Sequence, residues 1–178
     1  ARKVLLSAPA KDDGMQFVVP GVNESSEDVF STASCTTNCI TPVIEIMNRR
    51  IGVRKAILNT IHAYTSSQSI VDGPAKKPER GRAGAANLVP TSTGAAKATT
   101  KVLAGFEGKF DGLAIRAPII VGSVADITFV ANRETTVEEV NTIFREENIS
   151  DRYSEVVGLA EESVVSADII QDPHAAIV

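Results

Sequence analysis

The sequence predicts an α+β fold in which one mixed sheet is covered by helices. Two observations carry that prediction: apolar runs of strand length outnumber helical patterns, and the three helical patterns fall between strands rather than in a block of their own. No internal repeat or low-complexity tract interrupts the 178 residues.

Residues 4–7 and 17–19 are short apolar runs stopped by Ala8-Pro9 and by Pro20-Gly21, which reads as two buried strands between turns. A polar stretch, 23–28, leads to Ser31, Thr32 and Ser34, whose hydroxyls suit the cap of a following helix. From Cys35 onward Ile40, Val43, Ile44 and Met47 recur at helical spacing, until Arg49, Arg50 and Gly52 end the pattern with charges that favour a helix C-terminus. Pro42 fits best within a first turn. Residues 53–64 read as a strand with Ile57, Asn59 and Ile61 on one face and Leu58, Thr60 and His62 on the other, placing His62 near its C-terminal end.

Residues 66–89 form a long connection rich in Gly, Pro and charge, including Lys76, Lys77, Arg80 and Arg82; loops of that length are usually functional or disordered. A second helix opens around Thr93 and Gly94, packs Ala95, Ala98, Val102 and Phe106 inward, and closes at Gly105 and Gly108. Residues 113–117 and 124–131 read as strands, Thr136 and Glu139 as a capping box ahead of a third helix, and 164–170 as a last strand. The final residues, Ala176-Ile177-Val178, lack polar character, so the chain is expected to be truncated.

With 43% hydrophobic and 22% charged residues the chain can bury one good core. No window approaches the ~18 consecutive apolar residues of a membrane span, and the first residues lack the apolar region of a secretory signal. The expectation is a cytoplasmic protein with no membrane partner. A net charge of −4 with both signs interspersed disfavours nucleic acid. Only two cysteines occur, Cys35 and Cys39, too close to staple distant parts of a fold, which suits a reducing compartment.

Cys35 stands between Ser34 and Thr36 at a predicted helix start, where unpaired N–H groups and the positive dipole end favour thiolate over thiol. The plain alternative is a buried structural cysteine. Cys39, one turn further on, reads as core rather than as a resolving thiol or a metal ligand, since no other His/Cys cluster exists and no metal site is expected. A thiolate nucleophile needs a base, and the chain offers His62 at a strand end or His174 in a turn after Asp172-Pro173. His62 is the better placed, although on strand position alone it serves equally well as a core histidine. Two hydroxyl-rich helix starts, 34–36 and 92–94, with Arg82 and Arg116, suggest two sites for phosphate-like anions. No Gly-x-Gly-x-x-Gly occurs, so this chain alone does not cradle a dinucleotide in the usual way.

The segment Ala33-Ser34-Cys35-Thr36-Thr37-Asn38-Cys39 closely resembles the active-site segment of the glyceraldehyde-3-phosphate dehydrogenase family. The resemblance continues through His62-Ala63-Tyr64-Thr65, Val71-Asp72-Gly73-Pro74, Pro90-Thr91-Ser92-Thr93-Gly94-Ala95-Ala96-Lys97, Ile115-Arg116-Ala117-Pro118 and Asp172-Pro173-His174-Ala175-Ala176-Ile177. It implies that residues 34–178 are the family's catalytic domain, with a largely antiparallel sheet, incomplete at its C-terminus, and that 1–33 are the tail of a Rossmann domain. By resemblance Cys35 is the nucleophile and His62 its base. Ser34, Thr36, Thr93 and Gly94, with Arg82 close by, match the site for attacking inorganic phosphate; Thr65 and Arg116 match the site for the substrate's own phosphate; Ser7 contacts the cofactor, NAD or NADP. The implied reaction oxidises a small phosphorylated aldehyde through a thioester, with inorganic phosphate as co-substrate. The family's C-terminal helix is absent here, which implies a fragment of poor activity, and the long loop implies a homotetramer for the intact protein. Ser67, where many members carry a carboxylate or a threonine, and residues 119–122 depart from the family's pattern. Erythrose-4-phosphate dehydrogenase and a non-catalytic interaction protein that kept the fold are the competing readings.

Overall fold

The structure, a computed structural model, describes residues 2–12 and 14–178. Its centre is a four-stranded mixed sheet in the order β4-β5-β3-β6, built from β3 (Val53–Ala63), β4 (Val89–Ser92), β5 (Phe110–Ala117) and β6 (Ser123–Ala131). β3 pairs in parallel with β5 and antiparallel with β6, and β4 pairs antiparallel with β5, so two of the three ladders are antiparallel. Helices α1 (Cys35–Arg50), α2 (Ala95–Val102) and α3 (Val137–Asn148) lie on one side. The sheet is therefore covered on one face only; Ile57, Leu113, Val124 and Val130 stay exposed on the other. Two further parallel pairs stand apart from it: β1 (Val4–Leu6) with β2 (Val29–Ser31), and β7 (Val157–Gly158) with β8 (Ala176–Ile177).

Period-two alternation puts Leu58 and Thr60 of β3 against the helices, where both are buried. Ile40, Ile44 and Met47 of α1 meet Leu58, Phe106, Phe110, Ile143 and Phe144 in one core. Gly112 of β5 permits the close approach of two strands, because a Cβ there would lie 2.9 Å from both Cβ and O of Leu58. At its C-terminal end α1 is tied to α3 by Glu147, which accepts from Arg49 at 2.8 Å and Arg50 at 2.7 Å; nearby, the buried Tyr153 donates to Glu45 at 2.6 Å.

Several expectations are corrected. Pro42 is not in a first turn but in the body of α1, where it removes the N–H that would bond the Asn38 carbonyl, and it is buried. Residues 164–170 form turns rather than a strand, with Val165 exposed and its N–H bonded to the Asp168 carboxylate. Residues 17–19 make only a bridge from Phe17 to Ser31. Of the run 4–7, Val4–Leu6 form a strand, β1, yet its side chains are exposed. The expected capping box at α3 is half made: Thr136 accepts from the Glu139 N–H at 3.2 Å, but the Glu139 carboxylate turns to Arg133 and Thr135. Ala98 and Val102 of α2 are only partly covered, and Thr99 takes the buried position through a 2.8 Å hydroxyl pair with Thr41.

Candidate active site

The N-terminus of α1 is set by a local arrangement the sequence makes readable. Ser34 is extended, with φ −107° and ψ 162°, and its Oγ accepts from the Thr37 N–H at 3.1 Å, a side-chain cap. Ahead of it Ala33 adopts φ 58°, a left-handed conformation uncommon outside glycine, while its N–H is held by the Ser31 hydroxyl at 3.0 Å. Cys35 is thereby the first helical residue and is exposed, although Thr36 and Thr37 beside it are buried.

β3 delivers the second group. His62 lies next to its end, and its Nε2 stands 3.4 Å from Sγ of Cys35. Strand register places Arg116 of β5 directly beside His62; Arg116 Nη1 donates to the Ala63 carbonyl at 2.8 Å and lies 2.6 Å from Nδ1 of His62. The Cys35 thiol is lowered to about 7, first because the hydrogen bond with His62 stabilises the thiolate, with burial opposing and Thr36 assisting. The His62 pKa is raised, first by the same bond; burial and the Arg116 charge oppose it. Each group thus favours the charged form of the other. Cys39 differs in kind: burial, then the charge of Cys35, pushes its thiol up to about 11.

A cleft of about 390 Å³ opens over this pair. Ser34, Cys35, Thr36, His62, Thr93, Gly94 and Arg116 all line it, so seven of the residues singled out from sequence share one cavity. Two helix N-termini face it. At α2, Gly94 caps the helix with no atom within 4 Å of where a Cβ would be, and Thr93 Oγ1 accepts from the Ala95 N–H at 3.1 Å. Unpaired helical N–H groups with open space before them favour an anion.

Arg82 does not join the cleft. It is exposed, and its Nε donates to Asp72 at 2.8 Å within the long connection. Arg80, in a short 3₁₀ turn, Pro78–Gly81, lies beside Arg116 of the cleft wall, although neither it nor Thr65 lines the cleft itself. Its Nη2 donates to Thr91 at 2.9 Å and its Nη1 to Ser67 at 2.6 Å, and Ser67 in turn pairs with Thr65 Oγ1 at 2.8 Å. Arg116 is depressed by burial and then by the charge of Arg80, so the guanidinium groups feel one another, and among the described residues neither has a carboxylate partner. Both Nε atoms are buried without an acceptor. The sequence signal for Arg80 was Pro78, which fixes the turn that aims it inward.

Ser7 lies in an exposed bend after β1, outside the cleft lining, which Pro9 and Ala10 reach instead. His174 is elsewhere too, with Nδ1 2.7 Å from the Asp172 carboxylate. Among the described residues no group of three or more His, Cys, Asp or Glu side chains is placed to hold a metal ion, and no helix is long and apolar enough to cross a membrane.

Residues 34–178 match the family model described as glyceraldehyde 3-phosphate dehydrogenase, C-terminal domain. Curated relatives named glyceraldehyde-3-phosphate dehydrogenase are 46% identical in Haloarcula vallismortis over 98% of the chain, 43% in Streptomyces coelicolor over 97%, and 42% in Mycobacterium tuberculosis over 99%. The chain spans about half, 53%, of the length of each.

Proposed function

The chain belongs to the glyceraldehyde-3-phosphate dehydrogenase family, in that family's C-terminal domain, and we propose that its gene product oxidises glyceraldehyde 3-phosphate to 1,3-bisphosphoglycerate through a thioester on Cys35. The observation that carries this is the 3.4 Å approach of His62 Nε2 to a thiol lowered to about 7 at a helix N-terminus.

The thiolate attacks the aldehyde carbon, forming a C–S bond as the carbonyl π pair moves to oxygen. His62 gives its Nε2 proton to that oxygen and takes it back as the carbon is oxidised to the thioester. Oxidation needs a hydride acceptor, which in this reading is NAD or NADP. The described residues do not fit its pyrophosphate: no strand–turn–helix here carries the glycine fingerprint, and Ser7 is turned to solvent. In the last step a phosphate oxygen attacks the thioester carbon and the C–S bond breaks. A thiol with a pKa near 7 leaves readily as thiolate, which restores the starting state.

Thr65 and Arg116 hold the substrate's phosphate in this reading. Ser34, Thr36, Thr93 and Gly94 hold the attacking phosphate, and Arg80 takes the supporting part that the sequence assigned to Arg82. Residues 1–33 are the tail of a dinucleotide-binding domain and 34–178 the catalytic domain, within a cytoplasmic homotetramer. The test is nicotinamide reduction by the full-length gene product with phosphate present, comparing glyceraldehyde 3-phosphate with erythrose 4-phosphate. Preference for the three-carbon aldehyde, lost by at least ~10³-fold in Cys35→Ser, supports the proposal. Preference for erythrose 4-phosphate, or turnover that survives Cys35→Ser, contradicts it.

A further inference from the structure

We propose that Ser67 is a positioning residue, one that keeps the Thr65 hydroxyl available as a donor to the substrate's phosphate. The inference rests on the reading that Thr65 and Arg116 receive that phosphate, and it assigns Ser67 a part that neither the family match nor the names of the relatives assign.

Arg80, Ser67 and Thr65 form one chain of side-chain hydrogen bonds. Arg80 can only donate, so its 2.6 Å bond to Ser67 makes Ser67 Oγ an acceptor. Ser67 has one O–H left to place, and the hydroxyl beside it is Thr65 Oγ1 at 2.8 Å. A guanidinium bonded to Ser67 Oγ polarises its O–H and makes it the stronger donor of the two, so the bonds run cooperatively from Arg80 to Ser67 to Thr65. Thr65 then accepts from Ser67, and its own proton remains free to point at an anion. Without Ser67 the Thr65 hydroxyl loses the neighbour that fixes its direction, and Arg80 loses one of its two side-chain acceptors. Gln68 holds the backbone of the same turn through Oε1, which accepts from the Thr65 N–H at 3.3 Å without any part played by Ser67.

The test compares wild type, Ser67→Ala and Ser67→Thr in the full-length gene product. Ser67→Ala is expected to lower kcat/KM for glyceraldehyde 3-phosphate about tenfold more than for unphosphorylated glyceraldehyde, mainly through KM, as loss of a hydrogen bond to a charged group predicts. Ser67→Thr, which keeps the hydroxyl, restores most of it. The pH profile of Cys35 alkylation by iodoacetamide stays in place. Equal losses on both aldehydes, or no loss, overturn the proposal. If wild type turns over neither aldehyde, the functional reading falls separately, and protection of Cys35 from alkylation by glycerol 3-phosphate, an unreactive phosphate monoester, decides the case for Ser67: weaker protection in Ser67→Ala supports it, equal protection overturns it.

Discussion

Arg116 Nη1 lies 2.6 Å from Nδ1 of His62, its register partner on the parallel neighbour strand, and shares with it the carbonyl of Ala63. A fixed positive charge behind the ring disfavours a second proton on it, while the thiolate in front favours one. The strand ladder therefore bears on the protonation balance of the Cys35–His62 pair as well as on its position.

Removing that charge has a definite sign. In Arg116→Leu the His62 pKa is expected to rise further, because the nearby cation opposes the imidazolium and the bond to Cys35 remains. Titration of the two histidine ring resonances by NMR, with His174 as the internal comparison, measures it. An unchanged or lower His62 pKa contradicts this account of the pair.

Arg80 and Arg82 are two residues apart and are expected to behave differently. Arg80→Met should weaken protection of Cys35 by inorganic phosphate by about tenfold or more, the scale of a lost charge-assisted hydrogen bond. Arg82→Met, which breaks an exposed pair with Asp72, should change it by less than about twofold. The reverse order would return Arg82 to the site.

Glu147 is the buried hinge between α1 and α3. Burial by itself would raise its pKa, but hydrogen bonds from Arg49 and Arg50 outweigh that and hold it below the usual carboxylate range. Glu147→Ala is expected to cost about 2 kcal/mol at neutral pH, less than a fully buried pair because both arginines are partly exposed. A carboxylate with a depressed pKa contributes stability above its unfolded value and loses it as pH falls through the folded one. The gap between wild type and variant in urea unfolding should therefore narrow as the pH drops below about 4; a constant gap would show that the ion pairs are not its source.

Much of the site was legible because its signals are local. A hydroxyl before an apolar helical pattern marks the start of α1, and alternation along β3 puts His62 on the same face as the buried Leu58 and Thr60. Signals that depend on tertiary packing misled. Pro42 breaks an isolated helix, yet α1 runs through it with the proline buried. The apolar run 164–170 has strand composition but no neighbour to pair with. The four-residue strand β4 was hidden by Pro90, tolerated because β4 is an edge strand. Arg80 and Arg82 could not be separated by composition, since the choice between them is made by the turn that starts at Pro78.

In this reading Cys35 is about half ionised at neutral pH, held so by the helix start and by His62. The rate of Cys35 alkylation by iodoacetamide, followed by mass spectrometry from pH 5 to 10 in wild type and His62→Ala, tests it most directly. The expected wild-type profile rises with a midpoint at about 7 and moves to higher pH in His62→Ala, while Cys39, with a thiol pushed up to about 11, stays unmodified over most of the range. A wild-type midpoint at the ordinary thiol value of ~8.5, unmoved by loss of the imidazole, would contradict it.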